Sequence, residues 1–179
     1  MKNLALLLLL FLYNESGAQT FLTRNGFIGF YSKTPLEDIR AENKQTYGMI
    51  DATKKNIAFT LLVKGFTFQK QLMQTHFNEN YAESDRYPKA NFVGTYSGDV
   101  DVSKNGIYPV VVKGQLTFHG VTKDLEVPAS IEVQDEALIG KSEFKLIPAD
   151  FDIEIPSIVR EKIAQQMDVR VNVKCNKIK

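Results

Sequence analysis

Alternation of apolar and polar residues dominates the chain from residue 26 onward, and a period of two is typical of β-strands with one buried face. The alternation is clearest in residues 57–63, 90–96, 110–118 and 167–173. Weaker versions of the same pattern occupy residues 26–32, 39–50, 125–133 and 138–147. We therefore predict eight strands.

Turn signals separate most of these strands. They lie at residues 34–35, 51–53, 97–99, 104–106 and 119–120. Strands joined at hairpin spacing pair antiparallel, and closing eight of them into a barrel removes the exposed sheet edges. His119-Gly120 is expected to be a tight hairpin turn because glycine supplies the positive φ that such a turn needs. The predicted fold is all-β: one domain, an eight-stranded antiparallel barrel.

Two segments, residues 69–77 and 156–166, break the alternation. Their apolar residues recur at helical spacing, and Pro156 stands where the first turn of a helix tolerates proline. We predict two short helices that pack across the ends or edges of the barrel.

The interior of an eight-stranded barrel is either filled with side chains or wide enough for one small ligand. Four phenylalanines fall on the predicted inward faces of four different strands: Phe27, Phe59, Phe92 and Phe118. Large rings interleaved with Gly29, Gly94 and Gly114 could wall an elongated apolar slot. With Leu61 and Leu116, the four rings are the candidate ligand-binding residues. The pattern alone leaves a solid core and a hollow barrel equally open.

Residues 1–18 resemble a secretory signal peptide. Lys2 supplies the positive start, residues 4–12 form an apolar run, and Ser16-Gly17-Ala18 offers small residues that signal peptidases accept. The run covers only about half of a bilayer, which argues against a transmembrane anchor. No cysteine follows the run to accept a lipid. We predict cleavage after Ala18 and an exported domain of residues 19–179.

Composition and charge narrow the function. The formal net charge of the chain is +1, and because nucleic-acid-binding proteins normally carry a basic excess, we predict no nucleic-acid partner. Cys175 is the one cysteine and cannot form an internal disulfide. An exported chain without disulfides relies on its core, which favours a bacterial envelope over a small disulfide-stabilised module.

Residue types that carry catalysis or bind metals are sparse. The two histidines, His76 and His119, lie far apart in the chain, and neither has a neighbour at metal-ligand spacing. Gly-x-Ser-x-Gly, Gly-x-Gly-x-x-Gly and Walker-type motifs are absent from the sequence. We predict no cofactor, no metal site and no enzymatic activity.

Two sequence blocks carry a resemblance to a known family. The first reads LMQTHFNENY at residues 72–81, followed by ESDRYP at 83–88; the second reads GQLTFHGVTK at residues 114–123, followed by Val127-Pro128. In this order and spacing they resemble the YceI-like family, and the resemblance covers essentially the whole predicted mature chain. The segment HFNENY is similar to a branch common in Bacteroidetes-type envelopes.

The resemblance implies a lipocalin-like barrel that binds a long apolar molecule, such as a polyisoprenoid or an isoprenoid quinone. It implies transport, storage or sequestration of that lipid, a periplasmic or secreted location without a membrane span and, in many members, a homodimer. Leu72, His76 and Phe77 become candidate cavity-mouth residues, in a block whose simpler role is to cap one barrel end. Two rival functions stay open: a solid barrel that docks an envelope protein, and an enzyme acting on the bound lipid.

One late block departs from the family pattern. Where many relatives carry Arg-x-Asp-aromatic-Gly-Ile, this chain reads PADFDI at residues 148–153. Pro148 thus replaces the arginine and Asp152 replaces the glycine. If the arginine helps to place a charged head group in relatives, this chain lacks that contact. We therefore expect a neutral or weakly polar ligand.

Overall fold

The computed structural model of the protein describes residues 19–178, so the predicted signal peptide lies outside the described residues. The described part contains nine strands and one short α-helix. In chain order these are β1 (Thr20–Lys33), β2 (Asp38–Asp51), β3 (Asn56–Leu62), β4 (Thr67–Phe68), α1 (Gln71–His76), β5 (Lys89–Ser97), β6 (Gly106–Phe118), β7 (Val121–Gln134), β8 (Ala137–Leu146) and β9 (Met167–Lys177).

Eight of the strands close into an antiparallel barrel, which confirms the predicted fold class. Their order is β1-β9-β8-β7-β6-β5-β3-β2, and pairing of β1 with β2 closes the ring. The two-residue strand β4 is an addition to β2, where it pairs with Ala41 and Glu42. Closure pairs both edges of the eight-stranded sheet, so neither edge presents unsatisfied backbone groups.

The β6–β7 connection shows how closely local sequence sets the register. His119 and Gly120 adopt φ values of 51° and 77°, and positive φ at both central residues is the type I′ hairpin geometry. Register is then continuous from Phe118 opposite Val121 to Gly106 opposite Val133. The predicted tight turn is confirmed.

The two predicted helices have different outcomes. Residues 69–77 contain α1, which continues into a π-type turn at Phe77–Tyr81. Residues 156–166 contain a 3-10 turn at Ser157–Val159 followed by irregular turns, so the prediction of a regular second helix is wrong. Isolated short helices are unstable unless tertiary packing buries one face, and the side chain of Ile158 in this turn is 89% exposed.

Most of the buried apolar residues form two clusters at different heights of the barrel. The first, called the closed-end cluster, fills one end, and its members are Phe21, Ile50, Ile57, Tyr96, Val110, Ile131, Val133, Leu138, Val173 and Cys175. The second, called the lid cluster, packs α1 and its flanking turns against β2 and β3, and its members are Ala41, Leu61, Val63, Phe66, Phe77 and Ala82. The space between and beside the clusters holds the candidate site.

Candidate functional site

A cavity of about 580 Å³ occupies the barrel interior. Its inner end lies against members of the closed-end cluster, including Ile50, Ile131 and Val173. Inward-facing residues of the strands make its wall, and most of them are apolar. The structure therefore has a hollow barrel, which contradicts the solid-core alternative.

Five of the six candidate ligand-binding residues lie on the cavity wall. They are Phe59, Leu61, Phe92, Leu116 and Phe118. Glycine makes room for two of the rings: a Cβ at Gly114 would lie 2.7 Å from Cζ of Phe92, and one at Gly48 would collide with the ring of Phe59. The two rings thus occupy space that a side chain at Gly48 or Gly114 would take.

Phe27 does not line the cavity, so its assignment as a cavity residue is wrong. A Cβ at Gly29 would meet Cζ of Phe27 at 3.0 Å and the hydroxyl of Tyr31 at 2.9 Å, so these three residues share one face. That face is the outer one, because the guanidinium of Arg170 stacks 4.8 Å from the Tyr31 ring. Both faces of β1 carry aromatic residues, so alternation alone could not identify the inner one.

The inner face of β1 carries an aromatic group that sequence reasoning missed. Ile28 and Phe30 line the cavity in place of Phe27. The Phe30 ring lies 5.1 Å from Phe66, 5.9 Å from Phe68 and 5.4 Å from Phe77, measured between ring centroids. Aromatic contacts of this kind stabilise a fold beyond the contribution of the buried surface area, and here they hold α1 against the barrel. Phe66 and Phe68 follow β3 in a segment without clear alternation, so no periodic signal marked them.

The three predicted mouth residues, Leu72, His76 and Phe77, all line the cavity but differ in exposure. Leu72 and His76 on α1 are exposed and border the opening, whereas Phe77 is buried in the lid cluster. An ion pair joins Nζ of Lys70, just before α1, to Oε1 of Glu37 in the β1–β2 loop at 2.6 Å. The central block therefore caps one end of the barrel and also borders the opening of the cavity.

The opposite side of the opening is built by residues 147–166. Pro148, at the position where the resemblance implies an arginine in many relatives, lines the cavity together with Val159 and Ile163. Asp152 adopts a φ of 55°, a left-handed conformation that glycine holds without strain. The departure at Pro148 thus changes the chemistry of the wall, whereas the departure at Asp152 preserves the turn.

His119 ties two loops of this end together. Its Nδ1 lies 2.8 Å from the carbonyl oxygen of Phe151, and its Nε2 lies 3.0 Å from Oε2 of Glu83. The Tyr87 ring packs edge-on at 4.6 Å. Both ring nitrogens are therefore occupied by contacts within the protein, which is a structural role.

The single thiol is chemically quiet. Cys175 is fully buried in the closed-end cluster, and this burial raises the pKa of the thiol to about 12. Because the thiolate is the nucleophile and the metal ligand, a thiol in this state is inert near neutral pH.

Two further features of residues 19–178 concern membrane-spanning helices and metal-binding clusters. None of the helices in this part of the chain has both the length and the hydrophobicity of a transmembrane helix. The same residues place no group of three or more His, Cys, Asp or Glu side chains where it could hold a metal ion.

Comparisons with known proteins agree with this architecture. A polyisoprenoid binding domain from Saccharophagus degradans, implicated in plant cell wall breakdown, superposes with a TM-score of 0.76 at 13% identity, covering 90% of this chain and 99% of that one. BcnA of Burkholderia cenocepacia gives 0.70 at 15% identity, covering 83% and 95%. The YceI protein of Campylobacter jejuni gives 0.64 at 18% identity, covering 78% and 85%. At such identities these likenesses show the fold alone.

Sequence comparison supplies the family. No curated protein matches the chain. The family model described as the YceI-like domain matches residues 21–175, a range that holds both recognised blocks and nearly all of the barrel. The chain therefore belongs to the YceI-like domain family.

Proposed function

We propose that this protein is an exported carrier that holds one long apolar ligand, of the polyisoprenoid or isoprenoid-quinone class, inside its barrel. The observation that carries the proposal is the apolar cavity of about 580 Å³, a volume within the usual range of small-molecule sites. Burial of each ligand methylene gains about 0.8 kcal/mol, so an apolar wall alone provides useful affinity. The S. degradans neighbour, itself a polyisoprenoid binding domain, supports the same ligand class.

The composition of the wall favours a neutral ligand over a strongly anionic one. Pro148 gives the wall an apolar ring at the position where the sequence resemblance implies an arginine in many relatives. Three lysines line the cavity, and two of them are engaged by carboxylates: Lys70 by Glu37 at 2.6 Å and Lys141 by Glu132 at 2.8 Å. Among the described residues this leaves Lys162 as a single cation for a ligand's head group. A phosphate or pyrophosphate group is best recognised by charge-assisted hydrogen bonds from basic groups. An alcohol or quinone head group needs fewer such contacts and fits this site better.

Binding without catalysis is the second element of the proposal. His119 uses both ring nitrogens in contacts to Phe151 and Glu83, and Cys175 is buried with its thiol pKa raised to about 12. His76 borders the opening and is exposed, where it could offer one hydrogen bond to the polar end of a ligand. These placements support a holding function better than turnover of the lipid.

Export rests on the sequence of residues 1–18, and we propose a periplasmic or secreted location after cleavage at Ala18. N-terminal sequencing of the protein purified from its native host tests this, and a mature start at Gln19 is the expected result.

The homodimer and the lack of a nucleic-acid partner remain predictions. Light scattering on purified protein and a gel-shift assay test them.

Native mass spectrometry of purified protein tests the carrier function. We expect either a co-purified lipid or, after delipidation and incubation with geranylgeraniol, an adduct of one alcohol per chain. Organic extraction of the same sample identifies any co-purified lipid. A clean apo mass with no extractable lipid, and no adduct with geranylgeraniol or a short-chain isoprenoid quinone, would contradict the proposal.

A further inference from the structure

Three large apolar side chains project into solvent around the cavity opening. Leu36 in the β1–β2 loop is 61% exposed, Leu72 on α1 is 65% exposed, and Ile158 in the 3-10 turn is 89% exposed. Single exposed apolar residues are ordinary, whereas several that converge on one site mark an interaction surface. We call residues 33–38, 69–76 and 154–163 the rim.

Direct contacts hold the three rim segments together. The ion pair of Lys70 with Glu37 joins the α1 segment to the β1–β2 loop at 2.6 Å. On the other side, the backbone N–H of Ala164, next to the third segment, donates a hydrogen bond of 2.8 Å to Oγ of Ser32, next to the first. The β1–β2 loop is thus anchored on both sides, and the three segments form one surface.

The rim is continuous with the interior of the barrel. Leu72 belongs both to the rim and to the cavity wall, and Val159, adjacent to Ile158, also lines the cavity. An apolar path therefore leads from the cavity to the exposed side chains. A long ligand that left the cavity through water would lose about 0.8 kcal/mol of free energy for each methylene group exposed. Direct transfer along the apolar path into an apolar phase avoids this cost.

The charge of the rim identifies the kind of apolar phase. Its fixed charges balance, four against four: Lys33, Lys70, Arg160 and Lys162 against Glu37, Asp38, Glu154 and Glu161. Attraction to an anionic membrane needs a cluster of unbalanced Lys and Arg, which the rim does not have. A bilayer of neutral, zwitterionic lipid is the surface that its chemistry fits.

We propose that the rim docks on a lipid bilayer and inserts Leu36, Leu72 and Ile158 among the lipids, with the cavity opening facing the membrane. The ligand then moves between bilayer and cavity without crossing water. This inference rests on the proposed carrier function, since it gives the ligand its route. Docking itself is measurable on protein without ligand, and two of its three side chains, Leu36 and Ile158, lie outside the cavity.

Vesicle flotation tests the docking with delipidated protein and vesicles of pure phosphatidylcholine. Wild-type protein is expected to float with the vesicles, and raising the salt concentration leaves the bound fraction unchanged. The double variant Leu36→Ser/Ile158→Ser changes residues that do not line the cavity. We expect it to lower the partition coefficient roughly tenfold or more, because each inserted apolar side chain contributes its free energy of burial to membrane binding. Ile107→Ser is the matched control, because Ile107 is 69% exposed on β6 near the closed end, and it keeps wild-type binding.

Four results would overturn the docking proposal. They are wild-type protein that stays in solution, binding that requires anionic lipid, a double variant that binds as well as wild type, and a rim that instead forms a dimer which the double variant dissociates. Uptake of geranylgeraniol from solution, measured on the same samples, separates the two proposals. Flotation without uptake rejects the carrier and keeps the docking, whereas uptake without flotation does the reverse.

Discussion

The two ends of this barrel are built from the same strands but hold very different interiors. At the closed end, Leu138, Val173 and Cys175 are fully buried and pack against one another. Above this cluster, the rings of Phe59 and Phe92 pack against it on one side and remain partly accessible because they also face the cavity. The strands continue without interruption between the two regions.

This contrast shows how one sheet provides both stability and capacity. Protein interiors are normally packed as densely as organic crystals, so a void of this size persists only where the rest of the fold supplies the stability. The closed-end cluster and the aromatic contacts of Phe30 under α1 do so here. A hollow half is then tolerated because the solid half and the closed hydrogen-bonded ring hold the walls in place.

The largest expected effect is at the closed end. Leu138→Ala removes a fully buried side chain and is expected to lower the free energy of unfolding by about 2–5 kcal/mol, because a cavity opens in a packed region. Urea denaturation followed by circular dichroism measures it. A loss below that range would mean that the closed end is not packed as described.

A ring from the cavity wall should matter less to stability and more to binding. Phe92→Ala is expected to lower the free energy of unfolding by less than the ~3–5 kcal/mol typical of a packed ring, since part of the ring already faces empty space. The same variant should bind geranylgeraniol more weakly in a fluorescence competition assay. A loss of ~3–5 kcal/mol in the free energy of unfolding with unchanged binding would contradict this assignment, because Phe92 would then serve stability and not ligand binding.

Filling the cavity tests the contrast from the opposite direction. Leu116→Trp adds volume on the cavity wall and is expected to abolish ligand uptake while changing the free energy of unfolding by less than the ~1–3 kcal/mol that overpacking a solid core costs. Val93→Trp is the matched control, because Val93 is exposed on the outer face of β5. Uptake is read by native mass spectrometry, and retained uptake by Leu116→Trp would place the ligand elsewhere.

The smallest effect concerns the thiol at the closed end. Burial raises the pKa of Cys175 to about 12 from its ordinary value of 9.0, so the native state keeps its proton over a pH range in which the unfolded state loses it. Stability is therefore full below about pH 9 and falls as the pH rises toward 12. Iodoacetamide at mildly alkaline pH should label the protein in urea but not in buffer. Rapid labelling in buffer would show that the closed end opens.

The fold could be predicted because alternation is a local property that a closed barrel obeys along nearly every strand. Residues 110–118 show this, since Val110, Leu116 and Phe118 all point inward as the pattern indicates. β1 could not be assigned in the same way: Phe27 and Phe30 are both aromatic, and register shifts between Thr23 and Ile28 interrupt its pairing with β2. Alternation sorts the residues of a strand into two faces, but it does not identify which face points into the barrel.

The lid and the rim were harder to predict for a different reason. Phe66 and Phe68 reach the cavity through a 3-10 turn at Val63–Gly65 and a two-residue strand, and such short elements have no period to read. Residues 156–166 do have a helical period, yet their apolar side chains line an opening or face solvent. The helical spacing of apolar residues in this segment therefore does not correspond to a packed helix. A single sequence does not distinguish the two cases.

A crystal structure of the protein incubated with geranylgeraniol tests the central claim most directly. The account predicts continuous, elongated electron density inside the barrel, passing Phe59 and Phe92 and ending with its polar group at the opening near His76. A barrel that stays empty, or density bound to the outer wall with the cavity closed by rearranged rings, would contradict it.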